Sequence, residues 1–169
     1  MGLALAWIAV AGTARLPALA ASDCQGLTEP ERALARLFEM APGQRRTVTR
    51  CDAVLSAVAR RRAEDMGRRR YFSHVSPEGD GPNRLVERAG YQLPTVYSRR
   101  RSANNVEVIS AGDETAAEAW RGWLDSRSHR RQVLGLNRFF AAQTDYGVGH
   151  AEVPGSRYRH YWVLITATH

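Results

Sequence analysis

Residues 52–77 carry the strongest constraint on how this chain folds. Apolar residues recur there at the spacing of one helix face, and the pattern then stops at a turn. The turn contains His74, between Tyr71 and Phe72 on one side and Pro77 on the other. An amphipathic helix must bury its apolar face against another layer, so we expect the turn at its end to point His74 into a cleft. The apolar positions are Leu55, Val58, Ala59, Ala63 and Met66.

Further elements follow from the same patterns. A capping box with Thr28 and Glu31 predicts a first helix over residues 29–40, and Asp52 can cap the second. A short helix should follow the turn at 79–82 and end at Gly90. The later predicted elements are a strand over 105–110, a helix opened by Gly112 and Asp113 with Trp120 and Trp123 on one face, a short helix capped by Ser128, and a hairpin of 146–149 and 158–166.

The alternation in the strand at 105–110 predicts Val106 and Val108 on one face and Glu107 with Ile109 on the other. Helices on both sides of a small, mostly antiparallel sheet indicate an α+β fold with three layers. At 169 residues the chain is long enough for one domain with a substantial core and too short for two ordinary ones.

The amino terminus has the pattern of an export signal. Residues 3–11 are an apolar run too short to span a bilayer, and Ala18-Leu19-Ala20 matches a cleavage site with small residues. We therefore expect residues 1–21 to be a signal peptide, residues 22–169 to be one domain, and the mature protein to be secreted or periplasmic without a transmembrane span. In an exported protein Cys24 and Cys51 would pair as a disulfide, whereas in the cytoplasm both would remain thiols.

The basic residues are unusual because all 24 are arginine, and the net charge is +7. Runs of arginine occur at 60–62, 68–70 and 99–101. Such runs can hold phosphate or carboxylate groups, although a solvated basic face is the simpler interpretation. No nucleic-acid-binding motif accompanies them, and an export signal argues against a nucleic-acid partner.

Three side chains stand out as candidates for chemistry: His74 after a helix, Glu107 in a strand and His129 near a helix start. Two imidazoles and one carboxylate can hold zinc and leave one position open for water or a ligand. None of the three lies at a local metal-binding spacing, so each also has a plain structural explanation as a turn histidine, an arginine partner or a helix-end residue.

Several segments, in order, resemble the bacterial branch of the CAP superfamily, the SCP-like extracellular proteins related to cysteine-rich secretory proteins, antigen 5 and pathogenesis-related 1 proteins. The resemblance runs from about residue 28 to the end. The segments are ARRRAEDM at 59–66, YFSH at 71–74, SPEG at 76–79, RAGY at 88–91, VEVISAG at 106–112, WLDS at 123–126 with SHR at 128–130, GVG at 147–149 and YWV at 161–163.

This resemblance implies an α-β-α sandwich with one cleft, in which many family members place two histidines and two acids that in some bind a divalent metal. His74, Glu107 and His129 match three of these positions. The second acid falls at or near Ser126, and Val108 replaces the asparagine that usually follows the glutamate, so both departures weaken the expectation of zinc or another divalent cation.

The resemblance implies two functions. The first is a non-enzymatic, extracytoplasmic binding module, expected to be a monomer, for lipid-like or anionic cell-envelope ligands, which a basic surface would suit. The alternative is a divalent-metal-dependent, protease-like hydrolase, in which His74 and His129 hold zinc and Glu107 is the third ligand or a general base.

Overall fold

Six helices and four strands are found in residues 24–169, the part of the chain that the computed structural model describes. The predicted signal peptide over residues 1–21 lies outside the described residues. The helices are α1 Glu29–Glu39, α2 Ala53–Arg68, α3 Pro82–Arg88, α4 Ala116–Asp125, α5 Arg127–Val133 and α6 Arg138–Ala141. The strands are β1 Arg50–Cys51, β2 Glu107–Ala111, β3 Asp145–Glu152 and β4 His160–Ala167.

The four strands form one sheet in the order β1-β3-β4-β2. The pairs β3–β4 and β2–β4 are antiparallel, and the two-residue β1 runs parallel to β3. The register places Glu107, the first residue of β2, opposite Ile165 of β4. The predicted small, mostly antiparallel sheet is confirmed.

Separate apolar cores cover the two faces of the sheet. Successive residues of β4 alternate between them: Trp162 and Leu164 belong to the core under α1 and α4, and Val163 and Ile165 to the core under α2 and α3. The first core is centred on Phe38, Trp123 and Trp162, all at most 1% exposed. The α+β three-layer architecture predicted from the sequence is therefore confirmed.

Helix α2 lies directly on β3 because two glycines leave room for its backbone. A Cβ atom at Gly147 would lie 2.2 Å from the carbonyl carbon of Leu55. At Gly149 it would lie 2.3 Å from the carbonyl carbon of Ala59. Neither backbone can move away without opening the second core, so both positions require glycine.

Gly149→Ala is expected to lower the free energy of unfolding by about 2–3 kcal/mol, because its methyl group overlaps the α2 backbone. Gly122→Ala is the matched control: Gly122 is exposed in α4, and a Cβ atom there meets nothing within 4 Å. The control should instead gain about 0.5–1 kcal/mol from helix propensity. Urea denaturation of both variants makes the comparison, and equal stability of the two would show that α2 is not held this closely to β3.

The Cys24–Cys51 disulfide is present, with the two Cα atoms 5.6 Å apart. It joins the segment before α1 to β1, so it fixes the start of the described chain to the edge of the sheet. Within residues 24–169, no helix is long and apolar enough to cross a membrane.

Some predicted boundaries were wrong. The helix expected from Gly112 and Asp113 begins only at Ala116, where Thr115 and Glu118 form a capping box. Gly112 instead makes a turn with a φ of 96°, and the carbonyl of Asp113 accepts a hydrogen bond from Trp162 Nε1 at 2.8 Å. Gly112 and Asp113 are the first turn signal in this part of the sequence, but the capping box of Thr115 and Glu118 that follows is the stronger start signal for a helix.

Three further details differ from the expectations. The N-cap of α5 is Ser126, so Ser128 lies within that helix. Val106 precedes β2 and packs with Ile109 in the second core, whereas Val108 packs in the first, because the regular alternation starts only at Glu107. The short elements β1 and α6 were not predicted, since two and four residues are too few for a periodic signal.

Candidate functional site

Arg62 lies on the buried face of α2, one turn from Val58 and one turn from Met66. It is 4% exposed, and both of those neighbours are core residues. A buried guanidinium needs an anion and acceptors for its N–H groups. The surroundings of Arg62 provide both.

Glu107 is the anion that faces Arg62. Asn104 fixes it at the start of β2: its side-chain carbonyl accepts the Glu107 N–H at 2.8 Å and its amide donates to the Glu107 carbonyl at 3.0 Å. Glu107 is 1% exposed. The carboxylate accepts Arg62 Nε at 2.9 Å on Oε2 and Nη2 at 3.4 Å on Oε1.

Arg62 also holds the turn that carries the histidine. Its Nη2 donates to the carbonyls of Ser73 and His74, at 2.8 and 3.1 Å. Its Nη1 donates to the Tyr71 hydroxyl at 2.6 Å. Burial alone would lower the pKa of Arg62, but the charge and hydrogen bonds of Glu107 outweigh it and raise that pKa.

His74 also contacts Glu107, since its Nδ1 lies 3.0 Å from Glu107 Oε1. A carboxylate that is paired with a guanidinium offers acceptor oxygens, so a tautomer with the proton on Nδ1 satisfies this contact. Nε2 is then the edge of the ring left for a ligand, and the side chain is 35% exposed. The predicted neighbours His74 and Glu107 are thus in direct contact.

His129 projects from α5 and is partly exposed. Burial lowers its pKa, and its interaction with His74 lowers it further. The structure brings Glu107 into contact with His74, whereas His129 forms no hydrogen bond with either of them in the part of the chain that the structure describes.

The donor set fits poorly with a metal ion. Within residues 24–169, no group of three or more His, Cys, Asp and Glu side chains is arranged to hold one. Both oxygens of Glu107 already accept hydrogen bonds from Arg62, and Oε1 also accepts from His74. At the position of the second acid, Ser126 is a helix cap with its Oγ 3.2 Å from that of Ser128, and Asp125 is exposed.

Arg62 is the site residue that sequence reasoning missed. The charge of the run at 60–62 favoured a solvated basic face, which does not include a buried arginine. The signal was nevertheless present, since Val58, Arg62 and Met66 follow one another at intervals of four residues. A charged residue within an apolar helical stripe predicts a buried partner of opposite charge.

A second histidine pair lies away from this cleft, on the β3–β4 hairpin. His150 Nε2 and His160 Nδ1 are 3.2 Å apart, and the rings are almost parallel at 13° with centroids 5.5 Å apart. The two ring nitrogens are therefore within hydrogen-bond distance, and the tautomers decide which of them donates. Burial and the charge of His160 lower the pKa of His150, while Glu31 and Glu152 oppose the shift.

The lowered pKa values of His129 and His150 predict lower stability in mild acid. A histidine whose pKa is lower in the folded state than in the unfolded state stabilises the fold at pH values above its unfolded pKa of about 6.5. This contribution is lost as the pH falls through the folded-state pKa. The free energy of unfolding should therefore decrease as the pH is lowered below about 6.5. His150→Gln should reduce this dependence, whereas Arg61→Gln, which replaces an exposed side chain that does not titrate in this range, should leave it unchanged. Denaturant curves across this pH range test the prediction, and an unaltered slope for His150→Gln would contradict it.

Comparison with known proteins assigns this chain to a family. Residues 46–166 match the cysteine-rich secretory protein family, abbreviated CAP. The uncharacterized protein YkwD of Bacillus subtilis (strain 168) is 31% identical over 101 residues, which are 60% of this chain and 34% of that protein. This chain thus spans about one third of that relative's length.

Two solved structures share the fold. An extracellular protein containing an SCP domain from Bacillus anthracis superposes with a TM-score of 0.62 at 20% identity, covering 82% of this chain and 40% of that one. An outer surface protein from Borrelia burgdorferi superposes with a TM-score of 0.59 at 18% identity, covering 80% of this chain and 88% of that one.

Proposed function

This chain belongs to the cysteine-rich secretory protein family, and we propose that it is an extracytoplasmic, non-enzymatic module that binds a lipid-like, anionic cell-envelope ligand in the cleft of His74, Glu107 and His129. The extracytoplasmic location is supported by the predicted export signal, by the disulfide and by the relatives described as extracellular and outer-surface proteins.

The observation that carries the proposal is the neutralisation of Glu107. Its carboxylate is buried, paired with Arg62 and bonded to His74. A carboxylate held in this way is a poor general base, because accepting a proton would leave Arg62 buried without its counter-ion. Its role is to fix the orientation of the His74 imidazole through the contact between Oε1 and Nδ1.

The surface beside His74 suits an amphiphilic acid. Phe72, two residues earlier, is 42% exposed and packs against Tyr158 with ring centroids 5.7 Å apart. The guanidinium of Arg157 lies 5.0 Å above the Tyr158 ring. Phe72 is exposed and Tyr158 is half-buried, and such an aromatic pair can contact an apolar chain, while an imidazole edge and a guanidinium can hold an acidic group.

The alternative, a divalent-metal-dependent hydrolase, has less support. It needs Glu107 either as a third ligand or as the base for a bound water. Arg62 and His74 occupy the oxygens that either role would use. Two histidines would then remain, fewer than the three protein ligands of common catalytic zinc sites.

The proposal is tested by isolating the protein from its native host, extracting it with organic solvent and identifying the released molecules by mass spectrometry. Wild type should yield an acidic amphiphile in near-stoichiometric amount, and His74→Ala should yield about tenfold less. The matched control is His169→Ala, which changes a histidine outside the cleft and should retain the ligand. Recovery of empty wild type under all conditions, or of equal amounts from wild type and His74→Ala, would contradict the proposal.

A further inference from the structure

The arginine run at 99–101 lies in a loop that is fixed rather than freely solvated. The Gly81 N–H donates to the carbonyl of Arg101 at 2.8 Å, and the amide of the buried Asn83 donates to the carbonyl of Ser98 at 3.0 Å. A Cβ atom at Gly81 would lie 2.4 Å from the carbonyl carbon of Ser102. The start of α3 and this loop are therefore packed backbone against backbone, which fixes where the arginines lie.

Asp80 forms ion pairs with three arginines, two from α3 and one from the loop at 99–101. Its Oδ1 accepts Arg101 Nε at 2.8 Å and faces Arg84 Nε at 3.4 Å, and its Oδ2 pairs with Arg88 Nη1. The arginines cover it so completely that it is only 2% exposed. The hydrogen bond from Arg101, followed by the charges of Arg88 and Arg101, lowers the pKa of Asp80 and keeps it ionised.

One carboxylate cannot neutralise three guanidinium groups. The side chains of Arg84, Arg88 and Arg101 remain 47%, 55% and 59% exposed, so they keep N–H groups free for another acceptor. The cluster holds an excess of two positive charges in a fixed arrangement. Like charges held together repel each other unless an anion lies between them.

A pocket of about 320 Å³ lies beside this cluster. We call it the arginine pocket, and it is lined by Arg84, Arg88, Arg99 and Arg100 together with neutral residues and Glu87. Glu87 pairs with Arg99. Among residues 24–169, Arg100 has no ion pair. The pocket therefore has cationic walls whose charge the protein's own acids do not balance.

We propose that the arginine pocket is a binding site for phosphate oxyanions. Guanidinium groups donate two parallel hydrogen bonds to phosphate, and several of them around one cavity can surround a phosphate or a phosphodiester. The ligand is either the phosphate headgroup of a lipid or a soluble phosphate compound. The inference does not depend on the proposed function of the cleft, because it uses different residues and a separate cavity.

The test measures binding of the full chain to two probes at low ionic strength. One probe is inorganic pyrophosphate, followed by calorimetry. The other is a vesicle of phosphatidylcholine with phosphatidylglycerol, compared with a vesicle of phosphatidylcholine alone. Binding to pyrophosphate identifies a site for soluble phosphate, and binding to phosphatidylglycerol vesicles alone identifies a lipid headgroup site; either result supports the proposal.

The pocket variant is Arg84→Gln, Arg88→Gln and Arg100→Gln, which leaves Arg101 paired with Asp80. The matched control removes three exposed arginines from the opposite layer of the fold: Arg36→Gln, Arg45→Gln and Arg121→Gln. Both variants lose the same charge. The pocket variant should bind the preferred probe about tenfold more weakly, whereas the control should stay within about twofold of wild type.

Two results would overturn the proposal. Wild type could bind neither probe, or the control could lose as much affinity as the pocket variant, which would indicate general charge attraction. If the pocket variant fails to fold, the single variant Arg100→Gln replaces it in the test. Its affinity for the preferred probe should still be about threefold lower than that of wild type, or lower still. Solvent extraction of wild type tests the cleft proposal separately, so a protein that yields no amphiphile but still binds pyrophosphate would contradict the cleft proposal and support this one.

Discussion

Replacing Arg62 with methionine is expected to lower the free energy of unfolding by about 3–5 kcal/mol. The variant leaves the Glu107 carboxylate buried without its counter-ion, at a position 1% exposed. It also removes the donors to the carbonyls of Ser73 and His74. The cost therefore comes mainly from an unpaired buried charge and from lost anchoring of the histidine turn, and urea denaturation at neutral pH measures it.

Two comparisons make this measurement specific. Arg61→Met changes the exposed neighbouring arginine and should alter the stability by no more than about 0.5 kcal/mol. The double variant Arg62→Met, Glu107→Gln removes both charges and should recover much of the loss, because no buried charge remains uncompensated. If Arg62→Met cost no more than Arg61→Met, the buried ion pair would not exist in solution.

Removing the disulfide by Cys24→Ala and Cys51→Ala is expected to lower the free energy of unfolding by about 3.5 kcal/mol. The bond closes a loop between residues 27 positions apart, and a covalent cross-link of that length restricts the unfolded chain. The two sulfur atoms lie close to Ser56 of α2, at 3.3 and 3.7 Å from its hydroxyl, so their removal also leaves space at the edge of the first core.

Reduction of the wild-type protein provides the control for this effect. A reductant should destabilise wild type by a similar amount and should leave the double variant unchanged, since the variant has no bond to reduce. Equal stability of oxidised and reduced wild type would show that the bond is not formed in solution or does not constrain the unfolded chain.

The helices and the layers could be predicted from sequence because they depend on local signals. The capping box at Thr28 and the cap at Asp52 are both present, and the apolar spacing in α2 identifies its buried face. Sheet order could not be derived in this way, since β1 pairs with β3 across nearly a hundred residues. Strand pairing over such distances leaves no local pattern.

The site was predictable only in part. Composition and spacing alone left His74, Glu107 and His129 as separate residues, and only the family resemblance brought them together. The contact between His74 and Glu107 is a tertiary one over 33 positions, so no periodicity could reveal it. Arg62 was missed because its charge outweighed its position within the apolar stripe.

The arginine pocket also depends on tertiary contacts that no local sequence pattern reveals. The run at 99–101 has no periodicity, and the sequence alone favours a solvated basic face there. Its fixed position depends on Gly81, Asn83 and Asp80, which lie about twenty positions earlier and show their role only in the fold. Sequence identified the charge but could not identify what holds it in place.

The central claim is that Arg62 neutralises Glu107 and leaves a cleft suited to binding rather than to metal chemistry. Calorimetric titration of the full chain with zinc at neutral pH, wild type beside His74→Ala, tests this claim most directly. We expect weak, non-stoichiometric binding that does not differ between the two proteins. Stoichiometric zinc binding of micromolar or tighter affinity in wild type, lost in His74→Ala, would contradict the account and support the hydrolase instead.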